Sequence, residues 1–309
     1  MLTFWKQDNG LKPAQEYERD CWINVEEPTS AEIEQLVEEF KVPDYLINDI
    51  LDPDESSRTE VEGRWMAVIL RIPIYHHDYD VPFFTIPLGI LISLHNIVTI
   101  CAQENEVVKD IIYSSKNRNL RLNDKVNFIL QLFLSSSNFY LKYLKEINRL
   151  TNDIENELEK STRNRELYAL LNMEKCLVFF MTSLKSNELL LNKLQRSKLI
   201  NNEELNEDLL DDVTVEYKQA LEITKVYSDI QNGRMDAFAS VISNNLNVVM
   251  RRLTMITIVL MFPAMISGFF GMNIINGFEN NTMAFWAILG VSIFLSVLIY
   301  IFLNRNRFF

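Results

Sequence analysis

Three adjoining pieces of C-terminal sequence decide the fold class: LTMITIVLMFPAMISGFFGM (253–272), NIINGFENNT (273–282) and MAFWAILGVSIFLSVLIYIFL (283–303). The two apolar pieces carry no charge, and the piece between them carries one, Glu279. A helix of about 20 residues, rising about 1.5 Å per residue, crosses a hydrocarbon layer of about 30 Å. We therefore predict two transmembrane helices, because two such runs in tandem seldom occur as buried helices of a soluble domain.

The basic residues beside these runs predict their orientation. Arg251 and Arg252 precede the first run, whereas Arg305 and Arg307 follow the second in a short tail, 304–309. Positive flanks stay on the cytoplasmic side of a membrane. We expect a multi-pass protein of the plasma membrane with both termini in the cytoplasm, and we expect Arg251 and Arg252 to point outwards, towards lipid headgroups or neighbours.

The composition of the chain indicates which classes of binding partner to expect. The net charge is −12, from 42 acidic and 30 basic residues, with no basic stripe. Nucleic acid is therefore not expected as a partner, since phosphate binding needs clustered Lys and Arg, whereas cations suit the chain. Cys21, Cys101 and Cys176 lie far apart with no CxxC. They predict a reducing compartment without structural zinc, and the N-terminus lacks the pattern of a signal peptide.

The sequence gives no support for an enzyme. It contains no HExxH, no GxxxxGK[ST] loop for phosphate and no Ser/His/Asp order of a hydrolase. We predict neither catalysis nor an organic cofactor.

The first 120 residues are expected to form a small cytosolic α/β domain. Thr29 and Glu32 match a capping box that opens a helix reaching about Phe40, and Pro43 starts a second helix that reaches about Leu51. Runs rich in β-branched and apolar residues predict the strands of one sheet, at 21–28, 64–74, 84–93 and 96–103.

Long helices are predicted from there to the membrane. Residues 121–200 would form a cytosolic helix pair, the first with an apolar face of Phe139, Tyr143, Ile147, Leu150, Ile154 and Leu158. A third helix would run through a stalk, 201–252, directly into the membrane. Such a long helix needs partners along its length, and association of copies in the manner of a coiled coil would supply them.

One row of the third helix is polar where a coiled-coil seam is normally apolar. Its members are spaced alternately four and three residues apart: Asp236, Ser240, Ser243, Asn247, Met250, Thr254, Thr257 and Met261. Polar residues inside a membrane span usually face a cavity or a partner, so the row favours a water-filled pore. The alternative is that Ser and Thr join packed helices by hydrogen bonds.

With these features the chain resembles the CorA family of magnesium and cobalt transport proteins. The resemblance rests on Gly271, Met272 and Asn273 at the outer end of the first membrane run, on Phe270 before them, and on NVVMRRLTMITI (247–258). It is strongest over about 212 to 309. Zinc-transporting relatives tend to have valine at the middle motif position, so Met272 favours magnesium.

The resemblance implies a homopentamer with a funnel-shaped cytosolic domain. Its expected activity is influx of Mg²⁺, with Co²⁺ or Ni²⁺ as possible surrogates, driven by the membrane potential and closed by intracellular Mg²⁺. Gly271, Met272 and Asn273 would form the selectivity filter in the loop 273–282, where Asn273 amides accept hydrogen bonds from the ion's water shell. Gly271 would let the backbone leave the helix without a steric penalty from a Cβ atom. Gly and Asn are also common helix C-caps, and the two interpretations are compatible.

Regulatory positions follow from the same resemblance. Asp212 aligns with the family's sensor acid between protomers, with Asp211 beside it, and Asp78 is the expected partner, with Asp80 as its competitor. The acidic run 201–212 also fits a solvated helix N-terminus, which the helix dipole favours.

Two further acids fall at the ends of the proposed pore. Asp236 aligns with the acid that rings its inner end, and Glu279 would concentrate cations at its mouth, unless it is an ordinary solvated loop acid. Two other functions stay open: a zinc transporter of the same superfamily, and a membrane-anchored coiled-coil sensor that does not conduct.

Overall fold

The structure is a computed structural model that describes residues 1–8, 10–118, 120–160, 164–196, 206–272 and 282–305. The chain divides into two compact units, residues 1–232 and residues 233–309. The strands are β1 (Leu2–Gln7), β2 (Leu11–Ala14), β3 (Trp22–Glu26), β4 (Arg58–Glu62), β5 (Trp65–Tyr75), β6 (Phe83–Ile92) and β7 (Ile97–Cys101). The helices are α1 (Ser30–Glu38), α2 (Asp44–Leu51), α3 (Glu106–Ser114), α4 (Lys125–Lys160), α5 (Asn164–Arg196), α6 (Glu207–Phe270) and α7 (Thr282–Arg305).

The first unit is built on one seven-stranded sheet. Its strand order is β2-β1-β3-β7-β6-β5-β4, and only the pair β3–β7 is parallel. The predicted strands are confirmed as β3, β5, β6 and β7. The hairpin of β5 and β6 is the longest, and its connection, residues 76–82, carries Asp78 and Asp80.

Helices cover both faces of the sheet because its central strands are apolar on both sides. Along β5, Val68, Leu70 and Ile72 belong to the core shared with α3, α4 and α5, whereas Ala67 and Ile69 belong to the core shared with α1 and α2. This alternation is the two-residue period of a strand. The result is a three-layer α/β arrangement.

Helices α1 and α2 begin where the sequence predicts. The capping box is present, with the Thr29 hydroxyl accepting from the amide of Glu32, and Pro43 directly precedes α2. Helix α2 approaches β6 so closely that a Cβ atom on Gly89 would lie 2.2 Å from Ile50 Cδ1. Only glycine therefore allows this packing without displacing Ile50.

The long helices have the predicted order. Helix α4 buries Tyr143, Ile147 and Leu158, with the rest of the predicted apolar face partly buried. In α5, 39% of its most apolar window is buried, compared with 0% in α6 and 6% in α7, although all three are long and apolar enough to span a membrane. Helix α5 is therefore a core helix of the first unit. Residues 197–205, where the predicted helix pair meets the predicted stalk, lie outside the described ranges.

Helix α6 belongs to both units. Its first turns are packed in the first unit, where Val213, Tyr217 and Ala220 are buried. The second unit contains the rest of α6 and α7, and these helices carry the two uncharged runs of the sequence. The C-terminal part of the fold thus consists of apolar helices, as predicted, while the limits of the membrane layer stay a prediction.

Candidate functional site

The polar row of α6 is exposed along its whole length. Each of its eight members is solvent-exposed within the chain: Asp236, Ser240, Ser243, Asn247, Met250, Thr254, Thr257 and Met261. Among the described residues, the row is therefore not buried against another helix of the same chain.

A different face of α6 packs against α7. Its half-buried residues are Met255, Ile258, Val259, Phe262 and Ile266, and the facing residue Ser292 of α7 is buried. At about 100° per residue, this face lies about a quarter turn from the polar row. Ser292 and Ser296, the serines at this interface, belong to α7 and not to the row.

A third face of α6 is apolar and exposed. Leu246, Val249, Leu253, Ile256 and Leu260 have between 57% and 63% of their surface accessible. Exposed large apolar side chains in such a continuous stripe mark a lipid or protein contact. One chain therefore leaves two faces of α6 uncovered, one polar and one apolar.

The hydroxyl groups of Thr254 and Thr257 in the row both donate to backbone carbonyls of α6. Thr254 Oγ1 donates to the carbonyl of Met250 at 2.9 Å, and Thr257 Oγ1 donates to the carbonyl of Leu253 at 2.9 Å. A hydroxyl has one hydrogen and two acceptor lone pairs. With their hydrogens bound to the backbone, these two oxygens offer acceptors to whatever lies against the row.

Helix α6 ends at the predicted motif. The amide of Gly271 donates to the carbonyl of Ser267 at 2.9 Å, and that of Met272 to Phe269 at 3.4 Å. A Cβ atom at Gly271 would lie 3.1 Å from the Ser267 carbonyl oxygen, so the expected steric penalty against a side chain is present, although Gly271 does not have a positive φ. Asn273 and Glu279 lie outside the described residues.

The two arginines below the membrane run are both exposed. Measured around the helix from Thr254, Arg251 is offset by about 60° and Arg252 by about 160°. Arg252 is therefore nearly opposite the polar row, and Arg251 flanks it. Their outward direction in an assembly stays a prediction.

The candidate regulatory acids are all exposed within one chain. Asp211 and Asp212 are exposed on α6, and Asp78 and Asp80 are exposed in the β5–β6 connection. The described part of the chain holds no group of three or more His, Cys, Asp or Glu suited to a metal ion. Asn206 caps α6 through its Oδ1, which accepts from the amide of Leu209 at 3.1 Å, so the solvated N-terminus is also compatible with this geometry.

The three cysteines are free and buried. Burial raises the pKa of Cys101 to about 12 and that of Cys176 to about 11. These thiols are therefore protonated at neutral pH, and the thiolate is the form that binds metals.

One polar contact in the second unit was not predicted from the sequence. Ser296 of α7 donates its hydroxyl to the carbonyl of Val259 in α6 at 3.2 Å. Pro263 lies four residues after Val259 inside the same helix. A proline within a membrane run, followed by serines in the next run, is the signal that could have suggested such a contact.

Comparisons with known proteins agree on one family. The family described as CorA-like Mg²⁺ transporter protein matches residues 18–305. The chain is 23% identical over 292 residues to the cobalt/magnesium transport protein CorA of Methanocaldococcus jannaschii, covering 93% of this chain and 90% of that protein.

Solved structures share the fold. The complete structure of the CorA magnesium transporter from M. jannaschii matches with a TM-score of 0.80 and 21% identity, over 99% of this chain and 97% of that one. The cytoplasmic domain of ZntB from Vibrio parahaemolyticus matches with a TM-score of 0.59 and 12% identity, over 79% of this chain and 97% of that one.

Proposed function

The chain belongs to the CorA-like Mg²⁺ transporter family, and we propose that it is a channel that lets hydrated Mg²⁺ flow into the cell. Co²⁺ and Ni²⁺ are the expected surrogates. The observation that carries the proposal is the exposed polar row of α6, which is separate from the face that packs against α7.

The chemistry of the row suits an ion that keeps its water. Mg²⁺ dehydrates reluctantly and demands octahedral geometry, so a pore that strips its water would be costly. The waters of a hydrated cation present hydrogens outwards. The acceptor oxygens of Thr254 and Thr257, together with the amide of Asn247, can receive those hydrogens.

The filter is assigned to Gly271, Met272 and Asn273. The end of α6 at Phe270 puts the motif at the helix terminus, which supports this assignment. Asn273 amides would collect the hydrated ion from outside, and Glu279 would raise the local cation concentration.

A pore needs several copies of the row. The exposed apolar face of α6 offers a surface through which neighbouring copies could pack while their polar rows face a shared axis. We propose a homopentamer, the assembly that the resemblance implies, with a ring of Asp236 at the inner end.

The membrane potential supplies the driving force. Moving two charges inward through 100 mV releases about 4.6 kcal/mol, so no nucleotide hydrolysis is required. The flanking arginines support a plasma-membrane protein with both termini in the cytoplasm.

The test is flux of Mg²⁺ into liposomes that contain purified protein and a magnesium dye. We expect the unchanged protein to conduct and Asn273→Ala to lose most of the flux. Asn247→Leu should also reduce flux strongly because it removes an acceptor from the row. Asn245→Leu is the matched control, since Asn245 is equally exposed but lies about 160° around the helix from Asn247.

Each alternative has its own result. Equal loss in both asparagine variants would remove the row from the pore. Absence of flux in the unchanged protein would favour the non-conducting sensor, and preference for zinc in parallel assays with a zinc dye would favour the zinc transporter.

A further inference from the structure

Pro263 leaves a backbone carbonyl without its usual donor in the middle of the membrane run. Proline has no N–H, so the carbonyl of residue i−4, here Val259, cannot accept the normal helical hydrogen bond, and the ring also crowds that carbonyl. Helix α6 nevertheless continues from Glu207 to Phe270. In hydrocarbon no water replaces the missing donor, and an unsatisfied polar group is costly.

Ser296 supplies the missing donor from the neighbouring helix. Its Oγ lies 3.2 Å from the Val259 carbonyl oxygen and 2.9 Å from the carbonyl oxygen of Ser292, one turn earlier in α7. The single hydroxyl hydrogen is shared between the two acceptors. A helical serine in a membrane span commonly donates to its own i−4 carbonyl, but this one also reaches the carbonyl that the proline has freed.

Ser292 is a built-in comparison. It lies on the same face of α7 and is 4% exposed, and its hydroxyl donates to the carbonyl of Ile288 in its own helix at 2.8 Å. Loss of the Ser292 hydroxyl removes a similar volume from the same interface. It does not remove the donor to Val259.

The contact sits where it can control the direction of α6. Helices bend at prolines, because one hydrogen bond is missing and the ring pushes the two halves apart. In the sequence, Val259 comes between the row residues Thr257 and Met261. The segment after Pro263 leads to the motif at Gly271. A donor held at Val259 therefore fixes how the outer part of α6 continues from the inner part.

We propose that Ser296 is a positioning residue for conduction: its hydroxyl holds the Val259 carbonyl left free by Pro263 and so keeps the outer part of α6 aligned with the polar row. This inference rests on the proposed function, since it concerns the helix that would line the pore. It assigns Ser296 no contact with the ion.

A double-mutant cycle tests the link between serine and proline. Ser296→Ala should reduce the maximal Mg²⁺ flux about fivefold or more, the factor expected for about 1 kcal/mol of lost hydrogen bonding. The Mg²⁺ concentration giving half-maximal flux should stay unchanged, because the filter is intact. In the background of Pro263→Ala, where residue 263 provides an N–H for Val259, Ser296→Ala should have no further effect.

Two variants separate positioning from general packing. Ser296→Thr retains the hydroxyl and should keep the flux, and Ser292→Ala should leave it within about twofold. Equal losses in Ser292→Ala and Ser296→Ala would overturn the proposal. So would a loss in Ser296→Ala that is the same in the unchanged protein and in the Pro263→Ala background.

A measurement without transport makes the failures distinguishable. The thermal midpoint of the detergent-solubilised protein should fall by about 2 °C or more in Ser296→Ala, and by less than half of that fall in the Pro263→Ala background. If the unchanged protein does not conduct but the midpoints are coupled, the contact stands and the proposed function fails. If the midpoints are additive, the contact itself is refuted.

Discussion

Thr254 and Thr257 of the polar row share one side-chain geometry, which would suit a hydrated ion if the row lines the proposed pore. Both hydroxyl hydrogens are bound to the carbonyl four residues earlier, so the outward atom is an acceptor with no free hydrogen. Acceptors at these two positions attract the hydrogens of an ion's water shell. Thr254 and Thr257 therefore favour a hydrated cation without contributing a formal charge.

Thr254→Val tests that acceptor. Valine is nearly the same size as threonine but has no oxygen. The row therefore loses one hydrogen-bond acceptor in every copy, and water leaves its surface more readily. We expect Mg²⁺ flux to fall by about tenfold, since about 1.4 kcal/mol in the barrier corresponds to that factor. Thr254→Ser keeps the acceptor and should conduct normally. A valine variant with unchanged liposome flux would contradict a wetted row at this position.

The buried cysteines predict a dependence of stability on pH. Burial raises the pKa of Cys101 to about 12, whereas an unfolded thiol titrates near about 8.5. Between those values the unfolded chain loses the proton and the folded chain keeps it. The free energy of unfolding should therefore decrease as pH rises above about 8.5, by up to about 1.4 kcal/mol per pH unit for this group.

The measurement is the midpoint of chemical unfolding between about pH 7 and pH 10, a range that spans the unfolded thiol's titration. Cys101→Ala removes the titrating group and should flatten the alkaline part of the profile, whatever its effect on stability at neutral pH. A native protein in which Cys101 reacts with a thiol reagent as fast as an unfolded control would show that the burial is wrong.

At this scale, sequence could predict the row, whereas Pro263 and the serines of the next run could suggest a contact between the helices but not which pair makes it. Alternate steps of four and three residues are visible in one chain, and the structure leaves all eight side chains exposed, while their place in a pore stays a prediction. The Ser296–Val259 pair is 37 residues apart and depends on how α7 is rotated against α6. Neither uncharged run encodes that rotation in its local pattern, because almost every position is apolar.

At the scale of elements, a side chain of α5 acts as a strand partner. The last pair of the β4–β5 ladder is Arg58 with Ile69, so Arg71 lies two residues beyond it. The Arg71 amide donates to Asn187 Oδ1 at 3.0 Å, and Asn187 Nδ2 donates to the Arg71 carbonyl at 2.7 Å. The amide of Asn187 thus continues the ladder where β4 has ended, and its Nδ2 also lies 3.4 Å from the Tyr217 hydroxyl of α6.

Asn187→Ala should therefore be costly. The substitution leaves the N–H of Arg71 without its acceptor in a buried place, and we expect the free energy of unfolding to fall by about 2 to 3 kcal/mol. The thermal midpoint of the full-length protein in detergent reports the change. Thr182→Ala on the same helix is the control, because Thr182 is exposed and bonds only to Val178 of its own helix among the contacts described. A change in Asn187→Ala no larger than that control would contradict the ladder role.

The elements missed by sequence have identifiable causes. Strand β4, RTEVE, has a single apolar residue and lies at the edge of the sheet, and β2 is four residues long and contains a proline, so neither has an apolar pattern. Strand β1 is only partly buried. Helix α3 could have been found, since Asn105 caps it and Val107, Val108 and Ile111 recur at helical spacing. The apolar central strands and the long helices were predicted because their patterns are strong enough to stand alone.

For the whole molecule, the main prediction concerns how copies of the chain contact one another. Asp212 on α6 and Asp78 in the β5–β6 connection are both exposed. The described residues of one chain contain no group of three or more His, Cys, Asp or Glu that could hold a metal ion. We therefore expect a Mg²⁺ site made from these residues to combine acids of neighbouring protomers. The net charge of −12 per chain adds mutual repulsion that bound cations would relieve.

Asp212→Ala should weaken the inhibition of flux by Mg²⁺ inside the cell. If Mg²⁺ bridges Asp212 of one protomer to Asp78 of the next, it stabilises the closed assembly, and removal of one ligand lowers that preference. We expect the Mg²⁺ concentration for half-inhibition to rise about tenfold, measured in liposomes with controlled Mg²⁺ on the cytoplasmic side. Asp78→Ala should give a similar rise, and the double variant should add little, because either change breaks the same bridge.

Asp208→Ala separates a bridge from simple charge, since Asp208 is an exposed acid of the first turn of the same helix. A channel gated only by total negative charge would respond equally to Asp208→Ala and Asp212→Ala. A channel gated by a bridge through Asp212 responds to Asp212→Ala but not to Asp208→Ala. If Asp80→Ala has the effect expected of Asp78→Ala, the bridge exists with the competing acid as its partner, whereas unchanged inhibition in all of these variants would remove this part of α6 from regulation.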